Sequence, residues 1–181
     1  MSTVIDAPTP ERALADAFER PVTVCFVCTG NTCRSPMAAA VLNHLFRIPP
    51  VCTACDMDKV LSARQIRATS AGLYAMGDPI AHLAVEALAC AEIPSTPDND
   101  YKGHISRPIN PEIMENADLV VGLTDSHVMQ LLGWFPAYAS KITRMPEAIP
   151  DPFGGDLEDY KECLAAITDG IRAMFGIEEE A

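Results

Sequence analysis

The sequence predicts an α/β fold: one domain built as a three-layer sandwich, in which a four-stranded parallel sheet carries helices on both faces. Two observations support this prediction. Four short apolar or β-branched runs recur along the chain, and segments with apolar residues at helical spacing alternate with them. Strands that alternate with helices form a parallel sheet that is covered on both sides. At 181 residues, 49% of them apolar, the chain is long enough to bury such a core.

The first strand is predicted at residues 22–27, VTVCFV, because apolar and β-branched side chains are typical of strands buried on both faces. Cys25 in this run is predicted to be a core residue. A helix follows at residues 35–46. We expect Ser35 to be its N-cap and Pro36 to be its first helical residue, where proline is favoured.

The second strand is predicted at residues 66–72, IRATSAG. Asp78 followed by Pro79 then repeats the start signal of a helix. The apolar positions of this helix recur at helical spacing and are Ile80, Leu83, Ala84, Ala87 and Leu88.

The third unit combines a strand at residues 118–123 with a helix at residues 125–132, for which Thr124 is the predicted cap. A fourth strand is predicted at residues 141–145. After a loop rich in proline and glycine, a final helix is predicted at residues 156–175. Its apolar face consists of Leu157, Tyr160, Leu164, Ile167, Ile171 and Met174.

The composition limits the classes of function. With 13 Lys and Arg against 25 Asp and Glu, a net charge of −12 argues against binding to nucleic acid or to an anionic membrane. No apolar stretch approaches the roughly 20 residues of a membrane span. Seven cysteines, an odd number, and a start without an export signal favour the reducing cytoplasm. Residues 1–20 are predicted to be an N-terminal extension of a domain that spans residues 21–177.

The chemistry is predicted at the loop between the first strand and the first helix, residues 28–34. Parallel sheets bind ligands beyond the carboxyl ends of their strands. A turn from a strand into a helix amino terminus directs backbone N–H groups and the positive end of the helix dipole at one point, which favours an anion such as phosphate. Gly30 gives this turn conformational freedom, and the guanidinium of Arg34 can hold two phosphate oxygens.

Cys28 comes directly after the predicted strand, where the same groups would stabilise a thiolate. A site that attracts both a thiolate and phosphate suggests covalent phosphoryl transfer. Ser35 could donate a hydrogen bond to the sulfur. The spacing C-x5-R-S between a strand and a helix is more specific than a lone cysteine, whose ordinary role is to fill the core.

Two segments, VCTGNTCRSPMA at residues 27–38 and DPFGGDLEDY at residues 151–160, resemble the low-molecular-weight protein-tyrosine phosphatase family. The resemblance covers nearly the whole chain and implies a sheet with the strand order 2-1-3-4. It also implies that Cys28 is the nucleophile, Arg34 the phosphate clamp and Asp151 the general acid. The implied chemistry needs no metal and no other cofactor.

The same resemblance assigns further residues around the phosphate. The implied phosphate- and substrate-binding residues are Thr29, Gly30, Asn31, Thr32, Cys33, Ser35 and Phe153. Ser70 and His104 would join Asn31 and Ser35 in a hydrogen-bond network that holds the loop open. A solvated or capping histidine is the alternative interpretation of His104.

Thr32 bears on the choice of substrate. Tyrosine phosphatases of the family often carry a larger aliphatic residue at this position, whereas CTGNTCRSP resembles the protein-arginine-phosphatase branch. That likeness implies phosphoarginine, whose guanidinium could donate hydrogen bonds to Asp151 and lie against Phe153. Phosphotyrosine is the alternative, in which Thr32 serves only the packing of the loop. In both cases the partners are phosphorylated proteins, and the oligomeric state stays open.

Some features depart from the family, and others argue against alternative functions. Residues 47–65 resemble an insertion, whose Cys52 and Cys55 lack the two further ligands of a structural zinc site. Ala39 stands where the family commonly has glutamate. An arsenate reductase would need two closely spaced cysteines in the region where Cys90 stands alone. A non-catalytic phosphate-binding module would be expected to lack the nucleophile or the acid.

Cys33 has a predicted redox role. A loop that curls around phosphate could bring the thiols of Cys28 and Cys33 close together. A reversible disulfide between them would protect an oxidised Cys28 from further oxidation.

Overall fold

The computed structural model describes residues 21–46 and 66–177. The predicted extension at residues 1–20 and the predicted insertion at residues 47–65, with Cys52 and Cys55, lie outside the described residues. Within the described ranges the strands are β1 (Val22–Cys28), β2 (Ile66–Gly72), β3 (Leu119–Gly122) and β4 (Ile142–Arg144). The helices are α1 (Arg34–Leu45), α2 (His82–Cys90), α3 (Pro111–Asn116), α4 (Asp125–Trp134) and α5 (Leu157–Phe175), with a 3₁₀ helix at Pro136–Lys141.

The four strands form one parallel sheet in the order β2-β1-β3-β4. The first strand lies inside the sheet, since Val24 pairs with Ala68 on one side and with Leu119 on the other. The predicted fold class and the implied strand order are therefore confirmed. Because all four strands run in the same direction, the loops that follow them meet at one edge of the sheet.

Alternate residues of β1 point into two separate cores. Val24 and Phe26 belong to a cluster formed with α1, α2 and α5, whereas Cys25 and Val27 belong to a cluster formed with α3 and α4. This alternation follows from the two-residue repeat of a strand. Cys25 is fully buried, as predicted, and burial raises the pKa of its thiol to about 11. The sheet is thus the middle layer of three.

The start of the first helix differs from the prediction. Helix α1 begins at Arg34 and its N-cap is Cys33, so Ser35 is not the cap and Pro36 is not the first helical residue. The Ser35 hydroxyl is used elsewhere: its oxygen lies 3.0 Å from the Cys28 sulfur and 3.3 Å from the carbonyl oxygen of Ala71, and its single hydrogen can be donated to either of them. Tertiary contacts therefore replaced the local capping interaction.

The start of the second helix was also predicted wrongly, because α2 begins at His82 and not after Asp78. The preceding segment is held in an extended form. Pro79 forms an antiparallel bridge with Ile105, and the N–H of Asp78 donates to the Ser106 hydroxyl. The N–H of Ala81, the actual N-cap, donates to the carbonyl oxygen of Thr32. The helix can begin only after these contacts.

The other helix starts agree more closely with the sequence pattern. Thr124 caps α4, as predicted, and accepts a hydrogen bond from the N–H of His127. Asp156 caps α5 through a capping box with Asp159. The apolar face of α5 is buried at Tyr160, Leu164, Ile167 and Ile171 and half-buried at Leu157 and Met174. Helix α3 and the 3₁₀ helix were missed, since six residues are too short to show a helical repeat.

None of the helices in the part of the chain that the structure describes is long and apolar enough to cross a membrane.

Candidate active site

The 28–34 loop folds around the thiol of Cys28, which is the last residue of β1 rather than the first residue after it. The N–H of Asn31 donates a hydrogen bond to the Cys28 sulfur at 3.3 Å. The Ser35 hydroxyl oxygen lies 3.0 Å from the same sulfur. A negative charge on this sulfur would therefore be met by a backbone donor, a hydroxyl and the amino terminus of α1.

Asn31 organises the loop from within. It has a positive φ of 56° and is fully buried. Its side-chain nitrogen donates to the hydroxyls of Ser35 and Ser70 at 2.9 Å each. Its side-chain oxygen accepts a hydrogen bond from the N–H of Arg107 at 2.9 Å. The asparagine thus joins the loop to the end of β2 and to the segment before α3.

His104 supports the backbone of the same residue. Its Nε2 atom lies 2.9 Å from the carbonyl oxygen of Asn31. Burial and the nearby charge of Arg107 lower the pKa of His104, although its hydrogen bond to Asn31 acts in the opposite direction. A neutral ring with its proton on Nε2 donates to this carbonyl. The Nε of Arg107 also donates to the carbonyl oxygen of Ser70.

Arg34 and Asp151 form an ion pair beside the thiol. The Nη2 of Arg34 donates to Oδ2 of Asp151 at 2.6 Å. The Arg34 side chain is 7% exposed, whereas that of Asp151, in the loop between β4 and α5, is 50% exposed. The N–H of Phe153 donates to the second carboxylate oxygen. The carboxylate is thereby held beside the guanidinium of Arg34 and stays accessible to solvent.

A cleft of about 310 Å³ opens at this place. Cys28, Arg34 and Asp151 lie at its wall together with Thr29, Gly30, Thr32, Cys33 and Phe153. Asn31, Ser35, Ser70 and His104 do not line the cleft and form the hydrogen-bonded network behind it. The structure therefore brings all the predicted site residues together at the carboxyl end of β1. Tyr74, Met76 and Asp78 complete the wall.

Cys33 points away from solvent toward α5. Its sulfur lies 3.2 Å from the hydroxyl of Tyr160 and 3.6 Å from that of Thr32. Burial, followed by the contact with Cys33, raises the pKa of Tyr160, so the phenol is neutral. Behind them, the thiol of Cys163 donates to the carbonyl oxygen of Pro150, and burial raises its pKa to about 12. The five cysteines of the described residues are all free thiols.

The sequence interpretation missed three contributions to the site: His127, Arg107 and the wall formed by Tyr74, Met76 and Asp78. A signal for His127 was available, because it follows the cap Thr124 at the end of β3, next to β1 in the sheet. Nothing local identified Arg107, whose role depends on contacts with β2 and the loop. Within the described residues, no group of three or more His, Cys, Asp or Glu could hold a metal ion.

Comparison with known proteins identifies the relatives of the chain. The family model for the low molecular weight phosphotyrosine protein phosphatase matches residues 23–180. A protein-arginine-phosphatase of Bacillus subtilis is 32% identical over 160 residues, which cover 83% of this chain and 93% of that protein. A probable low molecular weight protein-tyrosine-phosphatase, EpsP of Ralstonia nicotianae, is 28% identical over 83% of this chain and 92% of its own length.

Solved structures give the same picture. A low molecular weight protein tyrosine phosphatase from T. tengcongensis superposes with a TM-score of 0.70 at 32% identity, over 86% of this chain and 98% of that one. A mutant of YwlE from Bacillus subtilis superposes with a TM-score of 0.69 at 28% identity, over 84% and 95% of the two chains. A YwlE arginine phosphatase mutant with a phosphorylated active-site serine has a TM-score of 0.65 at 30% identity, over 84% and 93%.

Proposed function

Because the chain belongs to the low molecular weight phosphotyrosine protein phosphatase family, we propose that it removes phosphate from arginine side chains of proteins through a cysteinyl-phosphate intermediate. It is a cysteine-dependent phosphatase, and phosphorylated proteins are its substrates. The observation that carries the proposed mechanism is the placement of one thiol, one guanidinium and one carboxylate, those of Cys28, Arg34 and Asp151, in a single cleft.

In the first step the Cys28 thiolate attacks phosphorus, and a sulfur–phosphorus bond forms as the bond to the leaving group breaks. The guanidinium of Arg34 and the backbone amides of the 28–34 loop stabilise the equatorial oxygens. The N–H of Asn31 and the Ser35 hydroxyl, which lie within hydrogen-bond distance of the sulfur, lower the energy of the thiolate. These contacts make the sulfur both an effective nucleophile and an effective leaving group.

Asp151 transfers protons in both steps. It protonates the departing atom of the substrate, and its carboxylate then removes a proton from the water that attacks phosphorus. The sulfur–phosphorus bond breaks and inorganic phosphate leaves. The exposure of the carboxylate on the cleft side supports this role, since a water molecule can reach it. Arg34 binds the carboxylate in the present structure and would exchange one of its hydrogen bonds for a phosphoryl oxygen.

Phosphoarginine is favoured by the acidic and polar character of part of the cleft. Asp78 and Asp151 both line it, and a guanidinium is a planar cation that pairs with carboxylates. Thr32 adds a small polar wall, and the similarity to the Bacillus subtilis protein-arginine-phosphatase supports the same choice. Phosphotyrosine is the second candidate, because the exposed side chains of Tyr74, Met76 and Phe153 could pack against a phenyl ring.

A chromogenic aryl phosphate tests the role of the thiol. Cys28→Ser should abolish turnover, because the hydroxyl is a far weaker nucleophile at neutral pH. Cys90→Ser is the matched control, since Cys90 is exposed on α2 and does not line the cleft, and it should keep wild-type activity. Turnover that survives in Cys28→Ser, or its absence from the wild type, would refute the proposed mechanism.

The substrate is tested with peptides that differ only in carrying phosphoarginine or phosphotyrosine. The wild type should have the higher kcat/KM for phosphoarginine. Thr32→Ile places a larger side chain at the cleft wall and removes a hydroxyl. It should shift the ratio of the two kcat/KM values at least about tenfold toward phosphotyrosine. Thr96→Ile, outside the cleft, should leave the ratio unchanged. If Thr32→Ile also leaves it unchanged, Thr32 does not select the substrate.

Cys33 is proposed to protect the nucleophile. Peroxide oxidises the Cys28 thiolate to a sulfenic acid, and attack by the Cys33 sulfur releases water and forms a disulfide that dithiothreitol reduces. Inactivation by peroxide should be reversible in the wild type and irreversible in Cys33→Ser. Equal reversibility in the two proteins would show that Cys33 has no such role. Because catalysis requires a reduced thiol, we propose that the enzyme works in the cytoplasm.

A further inference from the structure

A buried imidazole joins two threonine hydroxyls beside the 28–34 loop. His127, in the first turn of α4, is 4% exposed. Its Nε2 atom lies 3.1 Å from Oγ1 of Thr29, and its Nδ1 atom lies 2.9 Å from Oγ1 of Thr124. Thr29 directly follows Cys28 and lines the cleft. Three polar side chains therefore link the cap of α4 to the residue beside the thiol.

The hydrogen bonds favour one direction of donation along this chain. Thr124 Oγ1 accepts the N–H of His127 as the helix cap, and its own hydrogen can be donated to Nδ1. A neutral imidazole then carries its proton on Nε2 and donates it to Thr29 Oγ1. The hydroxyl hydrogen of Thr29, an exposed residue at the cleft, is then not donated to any other member of the chain. In the opposite direction, Thr29 would donate to Nε2 and Nδ1–H would donate to Thr124. The hydrogen not donated within the chain would then be that of the half-buried Thr124 hydroxyl.

Burial, together with a nearby positive charge, keeps the ring neutral. Burial and the nearby Arg34 guanidinium lower the pKa of His127 to about 4, although the Asp151 carboxylate acts in the opposite direction. A protonated ring would donate from both nitrogens, so the Thr124 hydroxyl could no longer donate to Nδ1, whereas the bond from Nε2–H to Thr29 Oγ1 would remain. At neutral pH the ring is neutral, and Thr124 can donate to Nδ1.

We propose that His127 is a positioning residue that orients the Thr29 hydroxyl, so that this hydroxyl donates a hydrogen bond to an oxygen of the phosphoryl group bound over Cys28. The inference rests on the proposed phosphoryl transfer and is independent of whether arginine or tyrosine carries the phosphate. With Nε2–H bound to one lone pair of Thr29 Oγ1, the hydroxyl hydrogen can no longer turn toward His127 and stays directed away from the ring. The hydrogen bond strengthens as charge develops on the phosphoryl oxygens.

Paired substitutions test the role through kinetics on the chromogenic phosphate. Thr29→Val removes the hydroxyl at nearly constant shape and should lower kcat about tenfold or more, with KM changed less than about threefold. Thr29→Ser, which keeps the hydroxyl, should recover most of that loss. His127→Leu should lower kcat to a similar extent, and His127→Gln, whose amide N–H reaches toward Thr29, should recover part of it. Thr96→Val, away from the cleft, is the neutral control.

The double variant Thr29→Val with His127→Leu tests whether His127 acts through the Thr29 hydroxyl or independently of it. If the imidazole acts through the hydroxyl, the double variant should be no slower than Thr29→Val alone. Multiplied losses, or wild-type kcat in Thr29→Val, would overturn the inference. Should His127→Leu fail to fold, Thr29→Val and Thr29→Ser still test the hydroxyl, because Thr29 is exposed, and His127→Gln still tests the imidazole.

The nitrogen chemical shifts of the His127 ring in the wild type report its tautomer directly. Protonated Nε2 and unprotonated Nδ1 are expected at pH 7, and the opposite tautomer would overturn the proposed direction of donation. These outcomes are distinguishable from failure of the proposed function, which would appear as no turnover by the wild type or as full turnover by Cys28→Ser.

Discussion

At the scale of single residues, Asn31 shows how one side chain can set the shape of a catalytic loop. Its positive φ places it in a conformation that most residues avoid and that asparagine tolerates. Buried hydrogen bonds to Ser35, Ser70 and Arg107 compensate for this conformation. The strain and its compensation lie at the same position, directly beside the nucleophile, which is where backbone strain commonly occurs in enzymes.

A second residue-scale effect is the pH dependence of stability that His127 confers. Its pKa is about 4 in the folded protein and returns to its ordinary value of 6.5 on unfolding. Between these values the unfolded chain binds more protons than the folded one, so the free energy of unfolding falls as the pH is lowered from 7 to 4. At about 1.4 kcal/mol per pKa unit, the loss approaches about 3 kcal/mol.

Urea unfolding at pH 7 and pH 4 measures this effect, with His127→Gln as the comparison because glutamine does not titrate. The wild type should lose more stability on acidification than the variant does. Carboxylates contribute to acid destabilisation in both proteins and cancel in the difference. Equal losses would show that the folded protein does not depress the pKa of His127.

At the scale of elements, the end of β2 lies directly against the 28–34 loop. A Cβ atom on Gly72 would be 2.8 Å from the carbonyl oxygen of Thr29 and 2.9 Å from the Cβ of Asn31. The backbones can approach this closely only because residue 72 lacks a side chain. The strand therefore acts as a rigid support for the loop, and its last residue controls how near the loop can lie.

Gly72→Ala should push the loop away from β2. We expect it to lower the free energy of unfolding by about 1–3 kcal/mol and kcat/KM by more than about tenfold. Gly133→Ala is the matched control, because Gly133 lies in α4 and nothing lies within 4 Å of its added Cβ. That substitution should stabilise the protein by about 0.5–1 kcal/mol without loss of activity. Wild-type kinetics in Gly72→Ala would contradict the supporting role of the strand.

At the scale of the whole molecule, the parallel sheet brings site residues from distant parts of the chain together. Ser70 and Gly72 lie in the last part of β2, Cys28 ends β1, Thr124 and His127 follow β3, and Asp151 follows β4. Each strand thus contributes to one edge. The net charge of −12 is a second property of the whole molecule, and it acts against the approach of anionic substrates.

The charge predicts how salt affects different substrates. For peptides with the same phosphorylated residue, raising the salt from about 20 to about 200 mM should increase kcat/KM when the flanking residues are acidic and decrease it when they are basic. The change should be a few-fold in each direction and lie in kcat/KM rather than in kcat. Salt effects of the same sign for both peptides would show that local contacts outweigh the net charge.

Local patterns were sufficient for the elements of the fold but not for all their boundaries. Strand β1 could be recognised because six consecutive residues are apolar or β-branched, and α5 because its apolar residues repeat at helical spacing over 19 residues. The starts of α1 and α2 were misplaced because Ser35 and Asp78, good caps by local criteria, are engaged in contacts with other segments. At such positions tertiary contacts, rather than local capping preferences, decide where the helix begins.

The sequence by itself determined the alternating α/β architecture and the identity of the residues in the 28–34 loop, because hydrophobic periodicity and a short motif are properties of neighbouring residues. Only the tertiary structure decided that His127 and Arg107 also support that loop. Thr29 and His127 are 98 residues apart in the chain, and Asn31 and Arg107 are 76 residues apart. No local spacing encodes such pairs, because they meet only when the strands pack in the order β2-β1-β3-β4 and bring their carboxyl ends to one edge.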